Sequence, residues 1–471
     1  MSVPVITIGQ MREWETATWS RGQTETEVIR QVGQIVAKTI LRLTNPDDFI
    51  LLLAGPGHNG DDVRAAARNL PNRRVETLQV KSPAADLLEL EAALKKEPAL
   101  VVDGLFGIGL NRPLDQGWQS YLRHLNENRL RVLAVDVPSG LNADTGETFG
   151  VAVEASVTLT VGAPKQGLLT ARAEPFVGRL EVASEIGLIP CPLQSELVWT
   201  LAEDFAGFPP RRSVADHKGN FGHLAILAGS VGYHGAAVLA ARGAQRARPG
   251  LVSVFTIETA NQAIAAQLQS VMVKPWNAAE KFATAFNATL IGPGLAAADL
   301  PADLKLVARK LWRDSFAPVI VDASALDWLP LGPVPKSTVR VLTPHPGEAA
   351  RLLKTTAARI QEDRPHALRE ISNTFGNCWV ILKGHQTLIG RSTGKIFVNP
   401  SGNPYLAQGG SGDLLAGYLA GLLAQPRLQE DPARTFLYAV WQHGAAADAL
   451  QARRANWIIE DLADEIGAVR P

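Results

Sequence analysis

Short apolar runs of four to seven residues recur along the chain, at 49–54, 99–103, 132–137 and 156–161, then at 223–229, 251–256, 288–291, 318–322, 339–343, 378–383 and 395–398. Between them lie longer mixed segments, such as 62–70 and 118–126, with helical spacing. Runs too short for buried helices, joined by segments long enough for crossovers, give the βαβ pattern of mostly parallel sheets covered by helices. The pattern breaks once. Pro190, Pro192, Pro209 and Pro210 interrupt the stretch 188–212, which places a junction near residue 195. A chain of 471 residues also exceeds what one hydrophobic core usually serves. The expectation is two doubly wound α/β domains, 1–195 and 196–471, with function in the turns beyond the carboxyl ends of the strands.

Charge and cysteine usage narrow the function classes. Forty-six basic residues balance forty-six acidic ones, so the chain lacks the excess expected of a nucleic-acid or membrane-surface binder. Cys191 and Cys378 alone build no disulfide framework, and neither has a partner at metal-ligand spacing. No basic segment followed by an apolar one opens the sequence, and no apolar stretch approaches a bilayer span. A soluble, cytoplasmic protein is expected.

The most informative run is Asn399-Pro400-Ser401-Gly402-Asn403-Pro404-Tyr405-Leu406-Ala407-Gln408-Gly409-Gly410-Ser411-Gly412-Asp413, which leads into the apolar helical stretch 414–423. A glycine-rich turn opening a helix aims several backbone N–H groups at one point, where the helix dipole adds positive potential. Such a turn suits an anion. Asp413, in the first helical turn, has the chemistry to accept the proton of a hydroxyl attacking a bound phosphoryl group. The same glycines also suit close helix–strand packing, with Asp413 merely stabilising the helix N-terminus. Three further segments favour the functional reading: Lys218-Gly219 ahead of the strand ending in Gly229-Ser230, the turn Ile291-Gly292-Pro293-Gly294, and the turn Thr343-Pro344-His345-Pro346-Gly347-Glu348.

Together these segments resemble the ADP- or ATP-dependent NAD(P)H-hydrate dehydratases, a ribokinase-like family, over roughly 198–470. The resemblance implies that Ala237, Gly294, His345 and Asp413 contact the hydrated nicotinamide nucleotide, with Asp413 as the base. It implies that Lys383, Gly384, His385, Gln386, Thr387 and Gly412 contact ADP, the phosphoryl donor, with Mg2+ bridging its phosphate oxygens. Two departures are visible: Tyr405-Leu406-Ala407-Gln408 replaces the usual Gly-Met-Ala-Thr, and Ser324 replaces the second aspartate of an Asp-Ala-Asp turn.

In the first half, Gly55-Pro56-Gly57-His58-Asn59-Gly60-Asp61-Asp62-Val63 follows one strand, and Asp103-Gly104-Leu105-Phe106-Gly107-Ile108-Gly109-Leu110-Asn111-Arg112-Pro113 follows another. Asp136-Val137-Pro138-Ser139-Gly140 and Gly162-Ala163-Pro164-Lys165-Gln166-Gly167 end two more. Taken alone, the first is also readable as a plain strand-to-helix turn, with Asp61 or Asp62 near the helix start. As a set they resemble the NAD(P)H-hydrate epimerases over roughly 5–195, which implies a Rossmann-like fold. The resemblance implies that Asn59, Asp103 and Ser139 hold K+. It also implies that Asn59, Gly60, Asp61, Asp62, Gly107, Ile108, Gly109, Leu110, Asn111, Arg112, Pro113 and Asp136 contact substrate, with Asp136 as the acid/base and Lys165 as a second candidate.

The family turn Gly-Asn-Asn-Gly-Gly-Asp-Gly has lost two glycines here, to Asp61 and Val63. An added carboxylate beside a phosphorylated substrate predicts a weakened epimerase. The expected whole is a bifunctional repair enzyme, forming a homo-oligomer, whose partners are hydrated NADH or NADPH and ADP. Two alternatives stay open: a ribokinase-type small-molecule kinase, and a first half that serves only for binding or oligomerisation.

Overall fold

The computed structural model describes residues 2–298, 300–335 and 338–471. The chain divides into two compact units, Val3–Glu196 and Leu197–Pro471. Beyond a two-residue strand β1 (Val3–Pro4), the first unit is built on β2 (Phe49–Ala54), β3 (Arg74–Gln79), β4 (Leu100–Gly104), β5 (Val132–Val135), β6 (Val157–Val161) and β7 (Arg179–Ala183). These six form a fully parallel sheet in the order β3-β2-β4-β5-β6-β7. Every residue of β2, β4 and β5 is buried, as expected for strands covered on both faces. The chain order reverses between β2 and β4. A doubly wound sheet opens a crevice at such a switch point, and the two turns richest in glycine, at 55–57 and 104–109, stand there.

The second unit carries β8 (Leu197–Trp199), β9 (His223–Leu227), β10 (Leu251–Thr256), β11 (Met272–Pro275), β12 (Ala288–Ile291), β13 (Val319–Val321), β14 (Arg340–Leu342), β15 (Trp379–Leu382), β16 (Leu388–Gly390) and β17 (Ile396–Val398). Their order is β8-β17-β16-β15-β14-β13-β12-β9-β10-β11. All neighbours are parallel except that β16 runs antiparallel to both β15 and β17. The sequence pattern identifies the central strands of both sheets but not β3, β7, β8, β11 and β16. The first of these is an edge strand of mixed polarity, Arg-Val-Glu-Thr-Leu-Gln, and only Leu78 in it is buried. The last is three residues long, too short for any period to register.

Two helices of the second unit fix what the glycine-rich turn faces. His234–Ala247 and Ser411–Leu423 approach so closely that a Cβ on Gly417 would lie 1.9 Å from the Ala240 carbonyl oxygen, and one on Gly243 2.2 Å from that of Leu414. Contacts pair 240 with 417 and 244 with 421, so the helices run in the same direction. Both positive dipole ends therefore lie toward one side. Because the colliding atoms are backbone, a methyl at this crossing forces the helices apart. Gly417→Ala is expected to lower stability by about 1–3 kcal/mol, seen as an earlier denaturant midpoint for the second unit; an unchanged midpoint would show that the contact tolerates separation.

Candidate active sites

In the first unit the switch-point turns enclose a cavity of about 670 Å³. Its wall includes Asn59, Asp62, Gly107, Ile108, Gly109, Leu110, Asn111, Arg112, Asp136 and Lys165. At its base Lys165 has no exposed surface, and its ammonium donates to Asp136 Oδ1 at 2.5 Å, Val161 O at 2.8 Å and Thr160 Oγ1 at 3.1 Å. Asp136 sits at φ +64°, a backbone region that costs a side-chain-bearing residue energy and that recurs at functional sites. A Cβ on Gly107 would come within 3.2 Å of Asp136 Oδ2, so the missing side chain leaves that oxygen open to the cavity. Burial, with repulsion from Asp136 second, holds the Asp62 carboxyl well above its ordinary range.

Beside this pair, Asp103 is wholly buried and accepts from Ser139 Oγ at 2.6 Å, Ser139 N at 2.8 Å and Leu105 N at 3.2 Å. Burial pushes its carboxyl up to about 6 despite those hydrogen bonds. Asn59 donates to Phe106 O at 3.0 Å, and its own Oδ1 is buried without a partner. An orphaned amide oxygen near a desolvated carboxylate is the donor set a hard monovalent cation satisfies, and the arrangement fits K+.

Three expected substrate contacts fall outside the cavity wall: Gly60, Asp61 and Pro113. Gly60 is spent on packing, since a Cβ there would lie 2.0 Å from Gly55 O. Asp61 points to Arg64, at 2.8 Å, and Arg64 also holds Gly55 O and Gln79. The pair is partly exposed on helix His58–Ala67. Val63 is fully buried in the core, its Cγ2 filling the space above Gly104. Neither side chain that replaces a family glycine lines the cavity wall, although the Asp61 charge adds to the repulsion that raises the Asp62 carboxyl. Conversely, the pattern of strand ends missed Met11, Arg12, Glu15 and Trp19, which helix Ile8–Trp19 contributes to the same cavity. Their spacing places them on one helical face, but nothing local says what that face meets.

In the second unit, Gly410 caps helix Ser411–Leu423 at φ +94°, and Asp413 lies in its first turn. Lys383 Nζ reaches Asp322 Oδ1 at 2.8 Å and Glu348 Oε2 at 3.8 Å. Burial alone would lower the Lys383 ammonium, but the Asp322 and Glu348 carboxylates outweigh it and raise it. Burial, then repulsion from Asp322, pushes Asp413 up to about 7 against the pull of Lys383. A Cβ on Gly412 would lie 3.2 Å from Lys383 Nζ, so the lysine is seated directly over the glycine turn. The loop that follows is braced by Arg364, whose guanidinium donates to the carbonyls of Leu382, Lys383, His385 and Gln386. Thr387 closes it by donating to Gly384 O at 3.1 Å.

Other expected contacts have structural tasks. His345 caps helix Pro346–Leu352, its Nδ1 accepting from Gly347 N at 3.0 Å, while Glu348 reaches back to His345 N at 2.8 Å. The ring stays half exposed. Ala237 has no accessible surface, backbone included. Gly294, at φ +66°, carries the carbonyl that accepts from Ser230 Oγ at 2.6 Å. Sequence reasoning passed over His443, a buried imidazole that hydrogen-bonds the Ser411 backbone and has an unpartnered Nε2; burial lowers it to about 4 and keeps it neutral. A histidine among the buried residues of helix Pro432–Arg453, beside Thr435 and Gln442, is the signal the sequence offers. Among the described residues, no cluster of three His, Cys, Asp or Glu has metal-binding geometry, and no helix is long and apolar enough to cross a membrane.

A family model described as NAD(P)H-hydrate dehydratase matches residues 224–468, and one described as YjeF-related protein N-terminus matches 73–167. The bifunctional NAD(P)H-hydrate repair enzyme of Gloeobacter violaceus is 34% identical over 94% of this chain and 93% of its own. The chain belongs to the bifunctional NAD(P)H-hydrate repair enzyme family. The Escherichia coli K12 member is 32% identical over 92% of this chain and 86% of its own. Among solved structures, the ADP/ATP-dependent NAD(P)H-hydrate dehydratase of Bacillus subtilis, co-crystallised with ATP and Mg2+, is 30% identical with a TM-score of 0.51, covering 57% of this chain and 95% of that one. A ribokinase-like superfamily protein of Enterococcus faecalis, 23% identical with a TM-score of 0.50 over 59% of this chain and 97% of its own, shares the fold. The second unit is thus ribokinase-like and the first Rossmann-like, as the strand patterns and motifs imply.

For a family member of this build, the protonation of Asp413 sets a pH limb. The folded protein retains this proton where an unfolded chain has released it, so the group subtracts stability as pH rises from the ordinary aspartate value toward 7. If Asp413 serves as a base, half of it is ionised at about 7 and more of it above. Dehydration kcat/KM is expected to climb with pH up to a bend near 7 and then level, and Asp413→Asn to lack the bend. A wild-type profile flat from pH 5 to 8, on the order of three units wide, would refute a titrating Asp413.

Proposed function

We propose that the protein repairs hydrated NADH and NADPH in two steps, the first unit interconverting the R and S epimers and the second dehydrating the S epimer at the expense of ADP or ATP. The observation that carries this reading is Asp413, half-buried in the first turn of a helix that opens from a glycine cradle, with Lys383 over that cradle. Gly412 and the loop residues Lys383, Gly384, His385, Gln386 and Thr387 hold the nucleotide, and Ala237, Gly294 and His345 border the hydrated ring.

Asp413 takes the proton from the C6 hydroxyl as that oxygen attacks the terminal phosphorus, and the bond from phosphorus to the bridging oxygen breaks, releasing the shortened nucleotide. Phosphate is a far better leaving group than hydroxide. The ring nitrogen then pushes its electron pair toward C6, the C6–O bond breaks with departure of phosphate, and loss of a C5 proton to water restores the reduced nicotinamide. Asp322 and Glu348 are the carboxylates suited to hold Mg2+, which when bound neutralises charge on the phosphate oxygens. In the first unit, Asp136 and Lys165 move the proton at the C6 centre. Asn59, Asp103 and Ser139 would hold K+ beside them, a fixed positive charge that favours anionic groups of the substrate.

Purified epimers separate the two activities. With S hydrate, ADP and Mg2+, Asp413→Asn is expected to slow recovery of reduced-nicotinamide absorbance at least about a hundredfold while nucleotide binding persists. With R hydrate, Asp136→Ala is expected to reduce consumption to the spontaneous epimerisation rate, whereas the wild type consumes it steadily. Unchanged turnover in either variant removes that residue from its role. A phosphorylated product that accumulates instead of reduced nucleotide would make the second unit a kinase.

A further inference from the structure

The cavity of the first unit is polar in a directional sense. Its inner wall carries Asp62, Asp136 and Lys165, all buried, and the half-buried Glu15, whereas Arg12 and Arg112 line it with exposed side chains. Neither guanidinium has an ion-pair or hydrogen-bond partner among the described residues, although most arginines of this unit are engaged, as Arg30, Arg42, Arg64 and Arg73 are. The remaining titratable side chains of the wall, Glu25 and His58, face each other at 3.4 Å. Arg12 comes from helix Ile8–Trp19, on the face that brings Met11, Glu15 and Trp19 to the same wall, and Arg112 comes from the turn after β4. Two unpaired guanidinium groups from sequence-distant elements on one cavity form a ready fork for phosphate oxygens.

We infer that Arg12 and Arg112 clamp the phosphates of the dinucleotide at the mouth of this cavity, so that the hydrated ring is delivered to Asp136 and Lys165 at its base. The reversed orientation sets phosphate against Glu15, Asp62 and Asp136, three carboxyl side chains, and is disfavoured by repulsion. Arg12 thereby becomes a positioning residue for a reaction carried out by other side chains. The inference rests on the epimerase reading for the identity of the substrate, but the clamp is testable by binding alone.

The test uses the full-length protein and NADPH as the phosphate-bearing probe, reading protection of backbone amides from hydrogen exchange in segments 8–19 and 105–113 as NADPH is titrated. Arg12→Ala is expected to raise the half-protecting concentration about tenfold, about 1.4 kcal/mol, with a weaker dependence on salt and partial recovery in Arg12→Lys. Reduced nicotinamide riboside, which has no phosphate, is expected to protect wild type and variant at the same concentration. In turnover of R hydrate, the same substitution is expected to raise KM with kcat within about twofold, the signature of uniform binding. Equal NADPH protection in wild type and Arg12→Ala overturns the clamp, and so does an equal loss for the phosphate-free riboside. If the wild type shows Arg12-dependent protection but no turnover of R hydrate, the clamp stands and the epimerase reading falls.

Discussion

The second unit depends on one close contact, the crossing of helices 234–247 and 411–423 on a seam of glycine and alanine. Hydrophobic burial alone would be met equally by larger side chains on a wider separation. The glycines instead trade side-chain contact for backbone proximity, and this fixes where each helix begins relative to the sheet. Everything assigned to the nucleotide follows from that placement. The N–H groups of the 409–413 turn gain their value as an anion site because a second helix, running the same way, sets its own positive end on the same side.

Both units set a carboxyl group near a lysine, but the lysine is shared differently in each. In the first, Asp136 is tied to a lysine with no exposed surface, so its charge is compensated at contact distance. In the second, Lys383 is shared: its nearest carboxylate is Asp322, and Asp413 receives only part of its attraction while feeling repulsion from Asp322 and Glu348. Asp136 thus has a lysine in direct contact, whereas Asp413, with its cation shared, is pushed up to about 7. A poised group suits a base that must release its proton in each cycle.

Much of this was legible in the sequence, because glycine-rich strand ends declare themselves by residue type. The 409–413 turn, the Asp103 and Asp136 strand ends and the two-sheet organisation all follow from local signals of this kind. Side-chain direction does not. Asp61 and Val63 replace glycines of a substrate-binding turn and read as damage, yet they lie within helix His58–Ala67, whose phase turns one outward to Arg64 and the other inward to the core. The wall built by Met11, Arg12, Glu15 and Trp19 was invisible for another reason: an amphipathic helix announces that it packs, not which cavity it closes. His443 was hidden in the same way, by an apolar helix whose one buried imidazole looks like ordinary core filling.

The inward turn of Val63 has an evolutionary corollary. A methyl group of this residue occupies the volume that a Cβ on Gly104 would claim, at a separation of 2.3 Å, so positions 63 and 104 share a single allotment of space across the gap between helix and strand. Valine at 63 forbids a side chain at 104, and glycine at 63 would leave the Asn59 carbonyl oxygen, at 3.0 Å, as the nearest remaining neighbour. Drift at either position is therefore conditional on the other, and a family turn can exchange its glycine without touching the ligand so long as the strand opposite keeps its own.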